Sequence, residues 1–128
     1  MITFKLNNEQ ITYTGDENRV LMDFMRNEKQ LTAIKDGCSG QAACGACTVE
    51  IDGKAKLSCV TKMKTLADSE VFTPEGFPKY VLETIANSLV NEGGVQCGFC
   101  SPGFISRIKV LLQDKPKPSL EEIRTALK

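Results

Sequence analysis

The sequence has no histidine. That absence excludes a His-based catalytic triad, a His-ligated zinc or haem, and a Rieske centre built from this chain alone. It has no excess of charge either: sixteen Lys and Arg offset sixteen Asp and Glu, so there is no basic footprint for nucleic acid. No apolar run approaches the ~20 residues of a membrane span. The start, Met1-Ile2-Thr3-Phe4-Lys5-Leu6, alternates like a strand and lacks a signal-peptide core. No internal repeat or low-complexity tract is visible. What is present is 41% hydrophobic and 25% charged residues with a mean hydropathy of −0.17. Over 128 residues this reads as a soluble globular chain of one ordinary domain or two very small ones. The expected location is cytoplasmic, with neither nucleic acid nor membrane as a partner.

Against that background the six cysteines stand out. In a reducing compartment they read as metal ligands or redox groups rather than structural disulfides. Cys38, Cys44, Cys47 and Cys59 lie in the first half, Cys97 and Cys100 in the second. The periodicity changes between the two groups. Ile2, Phe4 and Leu6 alternate, Asn7-Asn8 signals a turn, and Ile11–Thr14 reads as a return strand. Val20, Leu21, Phe24 and Met25 recur at helical spacing, with Asp16 or Asn18 as a candidate N-cap. Thr48–Ile51 reads as a strand, Asp52-Gly53 as a hairpin turn, and the chain returns from Lys54 to Cys59.

Beyond Pro74–Pro78 the pattern turns helical. Val81, Leu82, Ile85, Ala86, Leu89 and Val90 form one stripe, which Gly93-Gly94 ends. Phe104, Ile105, Ile108, Leu111 and Leu112 form a second, stopped by Pro116 and Pro118. The face Ile105/Ile108/Leu112 reads as core. Ser119 with Glu122 is a capping box opening a third helix.

The first four cysteines are spaced C-x5-C-x2-C-x11-C. Thiols crowded on a loop with Gly37, Gly40 and Gly45 pack poorly and suit a metal centre. A [2Fe–2S] cluster needs four thiolates, and plant-type ferredoxins use C-x4-C-x2-C with a distant fourth. Glycines let backbone N–H groups approach cluster sulfurs. The competing reading is a four-cysteine structural zinc site, although zinc sites more often pair two short knuckles. The Cys97–Cys100 pair is ambiguous by itself: a redox dithiol, half a zinc site or half an iron–sulfur site. It lacks the preceding strand of a thioredoxin motif. It precedes a helix N-terminus, which favours thiolates and an anionic cluster.

The segment Gly37-Cys38-Ser39-Gly40-Gln41-Ala42-Ala43-Cys44-Gly45-Ala46-Cys47-Thr48-Val49 resembles the ferredoxin-like domain of the molybdenum hydroxylases, the xanthine dehydrogenase and aldehyde oxidoreductase family. Asp52-Gly53 and Ser58-Cys59 fall where that family places them. One departure is that the family usually has four residues between its first two cysteines and this chain has five. Gln96-Cys97-Gly98-Phe99-Cys100-Ser101-Pro102-Gly103 resembles the first ligand pair of the family's helical [2Fe–2S] domain. The family's second pair, in a Cys-Arg-Cys-Thr-Gly word after the third helix, does not occur here, so a truncated or split polypeptide is expected.

The resemblance implies an α+β chain. Residues 1–74 would form a β-grasp ferredoxin-like [2Fe–2S] domain, and residues 75–128 a small helical-bundle [2Fe–2S]-binding domain lacking its C-terminal part. It implies that Cys38, Cys44, Cys47 and Cys59 hold one cluster, and that Cys97 and Cys100 supply half of a second. Gln96 matches the family glutamine that contacts the pterin cofactor; the alternative is a buried amide satisfying the turn before Cys97. The implied function is electron transfer from a molybdenum–pterin hydroxylase centre, on a partner subunit or domain carrying molybdopterin, to a flavin (FAD) subunit or domain or another acceptor. The chain would thus be the electron-transfer component of an oxidoreductase. No residue reads as a catalytic acid, base or nucleophile. The other readings are a freestanding [2Fe–2S] ferredoxin and a zinc-stabilised interaction module. The balanced charge suits a subunit that docks through packed surface.

Overall fold

A computed structural model describes residues 1–127. Two hairpins build the first half. Strands β1 (Ile2–Leu6) and β2 (Glu9–Tyr13) pair antiparallel through Asn7 and Asn8, whose φ angles of 52° and 69° are those of a type I′ turn. Strands β3 (Thr48–Ile51) and β4 (Lys54–Leu57) pair through Asp52 and Gly53, with φ of 51° and 80°. A fifth strand, β5 (Glu70–Phe72), lies between the hairpins. It runs parallel to β1, with Leu6 opposite Val71, and antiparallel to β3, with Ile51 opposite Val71. The mixed sheet is therefore ordered β2-β1-β5-β3-β4. Strand β5 was not legible in the sequence because three residues are too few to display an alternation.

One helix crosses this sheet, completing the expected β-grasp arrangement. It is α-helical over Leu21–Asp23 (α1) and continues as a π-helical turn over Phe24–Glu28. Leu21, Met22, Phe24 and Met25 are buried in the same core as Phe4, Leu6, Val49 and Val71. The Phe24 ring stands edge-on to Phe4 and Tyr13, at centroid distances of 6.2 Å and 5.3 Å. The N-cap expectation is not met. Val20 occupies the cap position without a side-chain cap. The Asp16 carboxylate instead accepts from the Asn18 N–H at 2.9 Å. The first helical donors are satisfied by backbone: Leu21 N–H donates to Thr61 O at 2.7 Å and Met22 N–H to Ser58 O at 3.1 Å. This bonding fastens the helix to the loop that carries Cys59.

The second half is helical. Helix α2 (Lys79–Asn91) ends where Gly93 takes φ 75° and Gly94 N–H returns to Leu89 O at 2.7 Å. Helix α3 (Ser101–Asp114) follows, then α4 (Leu120–Ala126), which opens on the expected reciprocal Ser119–Glu122 capping box. Phe77, Ile85 and Ile105 are the buried centre of this half, with Phe72, Val81, Leu82, Leu89 and Ile108 packed around them. Leu112, expected in the core, is 41% exposed. It lines the open groove between α2 and α3 together with Ile85 and Ile108, where solvent still reaches it.

Helix α3 packs across β3, which explains why all four residues of Thr48–Ile51 are buried. Alternate residues of a strand face opposite sides. Val49 and Ile51 enter the core beneath α1. Thr48 and Glu50 face α3, where they meet Arg107 and Lys109.

Candidate metal centre

The first four cysteines come from two places: a winding loop before β3 and the loop after β4. Between Cys38 and Cys44 the backbone turns through left-handed conformations at Ser39, Gly40 and Ala42, with φ of 54°, 80° and 58°; Gly45 follows at 72°. Only glycine adopts this region without cost, and an L-residue there is disfavoured by about 1–2 kcal/mol. The loop accommodates its five-residue spacer through these turns. They curl its N–H groups toward sulfur, in the manner of an anion-binding nest. Ala43 N–H donates to Cys38 Sγ and Ala46 N–H to Cys44 Sγ, each at 3.4 Å.

Cys47 and Cys59 are buried, while Cys44 is exposed and Cys38 intermediate. The backbone at Cys47 is anchored by Ser58, whose hydroxyl donates to Cys47 O at 2.7 Å and whose N–H does so at 3.3 Å. The environments of the thiols differ accordingly. The Ala43 N–H foremost, with the Cys44 N–H, pulls Cys38 down to about 7. Burial foremost, with the neighbouring Cys47 thiol, pushes Cys59 up to about 11.

Cys38 interacts with the Cys44 side chain, Cys59 with that of Cys47, and the charge of Cys38 reaches Cys59. The thiols thus fall into two neighbouring pairs, Cys38 with Cys44 and Cys47 with Cys59. Among the described residues, no three Cys, Asp or Glu side chains converge as they would on a single ion. Two thiol pairs facing N–H donors suit an anionic two-iron cluster with four cysteine ligands.

Cys97 and Cys100 lie on the exposed turn between α2 and α3, and Cys100 occupies the N-cap position of α3. The structure sets this turn against the first loop. A Cβ on Gly37 would lie 3.0 Å from the Phe99 ring and 3.1 Å from Cys44 Sγ. Cys44 and Cys100 line the same cavity of about 270 Å³, together with Gly45, Gly103, Phe104 and Arg107. Gln96 is exposed, so it is not the buried amide of the alternative reading.

Gly103 lies where α3 meets the loop. A Cβ there would lie 2.4 Å from Gly45 O and 3.2 Å from Ala46 Cα. Alanine in a helix interior is ordinarily favoured over glycine by about 1 kcal/mol. Here a rigid backbone clash outweighs that gain, because overpacking costs about 1–3 kcal/mol. Gly103→Ala is therefore expected to destabilise the protein, read as a lower urea midpoint. A raised midpoint would show that the loop yields freely.

Sequence reasoning did not single out Arg107, Thr48 or Lys109. The available signal was helical spacing. Gly103 and Arg107 are four residues apart, hence on one face of α3, and the glycine marks that face as a close approach.

Comparison with known proteins agrees with this geometry. A family described as a 2Fe-2S iron-sulfur cluster binding domain matches residues 4–68, and one described as a [2Fe-2S] binding domain matches residues 73–128. The aldehyde oxidoreductase of Megalodesulfovibrio gigas is 45% identical over 111 residues, covering 85% of this chain and 12% of that protein. The nicotinate dehydrogenase small FeS subunit of Eubacterium barkeri is 35% identical over 127 residues, covering 98% of this chain and 80% of that subunit. The crystal structure of the aldehyde oxidoreductase from Desulfovibrio desulfuricans superposes with a TM-score of 0.88 at 37% identity. It covers 98% of this chain and 14% of that one.

Proposed function

Because the chain belongs to the iron–sulfur components of the molybdenum hydroxylase family, we propose that it conducts electrons from a molybdenum–pterin centre on a partner subunit or domain to a flavin or another acceptor. A bound [2Fe–2S] cluster supplies one-electron redox chemistry. The residues of this chain hold, insulate and bias such centres. Cys38 and Cys44 from the loop, with Cys47 and Cys59 from beneath it, form the ligand set of the outer centre. Cys97 and Cys100 supply two thiolates toward the inner one, whose remaining ligands lie outside these six cysteines. In this reading residues 1–74 and 75–128 form two domains, one for each centre. Gln96, exposed beside Cys97, would contact the pterin.

The observation that carries this reading is the shared cavity, in which Cys44 of the first group and Cys100 of the second line one wall-to-wall space. Two redox centres must be close to exchange electrons, and this cavity brings the loops of the two cysteine groups together. The balanced net charge of the sequence accords with docking on a larger protein partner through packed surface.

Anaerobic reconstitution of the 128-residue chain with iron and sulfide tests the ligand assignment. The expected product is red-brown, carries about two irons, and gives one electron paramagnetic resonance signal after reduction. A colourless chain that takes up zinc and no iron would overturn the reading.

A further inference from the structure

Arg107 belongs to the helical half, yet its hydrogen bonds lead into the first cysteine loop. Its Nε donates to Thr48 Oγ1 at 3.3 Å. Thr48 Oγ1 donates in turn to Gly45 O at 2.7 Å, and the Thr48 N–H reaches the same oxygen at 3.2 Å. That oxygen belongs to the Gly45–Ala46 peptide, whose N–H donates to Cys44 Sγ at 3.4 Å. The left-handed φ of Gly45, 72°, aims the two ends of this peptide in these directions. Arg107 Nη1 donates to Ala126 O at 3.2 Å, so the guanidinium is held from α4 as well. A cation, a fully buried hydroxyl, one peptide group and a ligand sulfur therefore form a continuous chain of donors ending at Cys44.

We infer that Arg107 is a positioning residue through which the helical half sets the redox poise of the outer centre, acting on Cys44 through Thr48 and the Gly45–Ala46 peptide. The inference rests on the cluster assignment above and goes beyond it. Each donor in such a chain polarises the next, and hydrogen bonds strengthen cooperatively where the dielectric is low. A stronger N–H to a cluster sulfur stabilises the added negative charge of the reduced state, as does a nearby cation. Arg107 therefore raises the reduction potential. The helical half, when docked, makes the outer centre the better electron acceptor.

The test is a redox titration of the reconstituted chain, followed by electron paramagnetic resonance, for Arg107→Gln, Arg107→Lys, Thr48→Val and the double variant Arg107→Gln/Thr48→Val. Arg107→Gln removes the charge and should change the ratio of reduced to oxidised centre about tenfold toward oxidised at a fixed potential, about 59 mV for one electron. Arg107→Lys should recover most of that shift. Thr48→Val should lower the potential in the same direction. The double variant should fall clearly short of the sum of the two shifts, because both act on one relay. An unchanged or raised potential in iron-loaded Arg107→Gln overturns the inference. So does a shift in Arg107→Gln with none in Thr48→Val, which would mean that the charge acts through space alone.

A second measurement needs no cluster. In the metal-free protein, amide hydrogen exchange at Ala46 and Thr48 should quicken several-fold in Thr48→Val and Arg107→Gln while remaining unchanged in β1. Unaltered exchange there overturns the relay even if no iron is taken up, whereas failure to bind iron with altered exchange overturns only the cluster assignment.

Discussion

Cys47→Ser should leave the reconstituted chain nearly colourless, with most of its iron lost. The side chain is buried at 2% exposure, and its backbone is held independently by the two Ser58 hydrogen bonds. The substitution therefore changes the ligand atom and little else. A serine oxygen is a harder and poorer ligand for iron than a thiolate, and three remaining cysteines cannot complete a four-thiolate set. The metal-free variant should melt within a few degrees of the parent, since the exchange removes roughly a kcal/mol of packing at most. Cys97→Ser, made in parallel, should keep the spectrum of the outer centre. Absorption and iron analysis of the two variants read this directly. Equal bleaching by both substitutions would show that the two cysteine groups are one site, contrary to the ligand assignment.

The sequence carried the cysteine pattern and the element types because each rests on a local signal. Hairpin turns announced themselves through Asn7-Asn8 and Asp52-Gly53, whose left-handed conformations few other residue pairs accept. The third helix was legible from Ser119 and Glu122, which bond to one another across a single turn. Signals failed where structure is made by distant partners. β5 exists because it fills the gap between two hairpins, so its three residues have no pattern of their own. The cap of α1 is supplied by backbone carbonyls of Ser58 and Thr61, about forty residues away in sequence. Asp16 and Asn18 were therefore chemically plausible caps, but they bond to one another and not to the helix. The cavity between the cysteine groups follows from α3 lying across β3, and no spacing within either element encodes that crossing. Its one trace was polarity in the wrong place: Thr48 and Glu50 alternate with core residues, yet both are buried.

Glu50 supplies the second large effect. It is 4% exposed on β3, and its Oε1 accepts from Lys109 Nζ of α3 at 2.5 Å. The ammonium also lies over two aromatic rings, 5.5 Å from the centroid of Phe72 and 5.1 Å from that of Phe77. Lys109 is thus enclosed by the junction of the two halves. Lys109→Ala would leave a carboxylate dehydrated and without its cation, and breaking a buried pair in this way costs about 3–5 kcal/mol. One escape is to undock α3 and return Glu50 to water. Urea denaturation of Lys109→Ala should accordingly show a lower midpoint and an early phase in which the helical half separates. Replacing both partners, as in Glu50→Gln/Lys109→Met, should recover most of the loss, because no uncompensated charge remains and the volume is kept. A loss below about 1 kcal/mol in the single variant, the magnitude of a solvated surface pair, would show that water reaches Glu50 and that the ion pair does not hold the halves together.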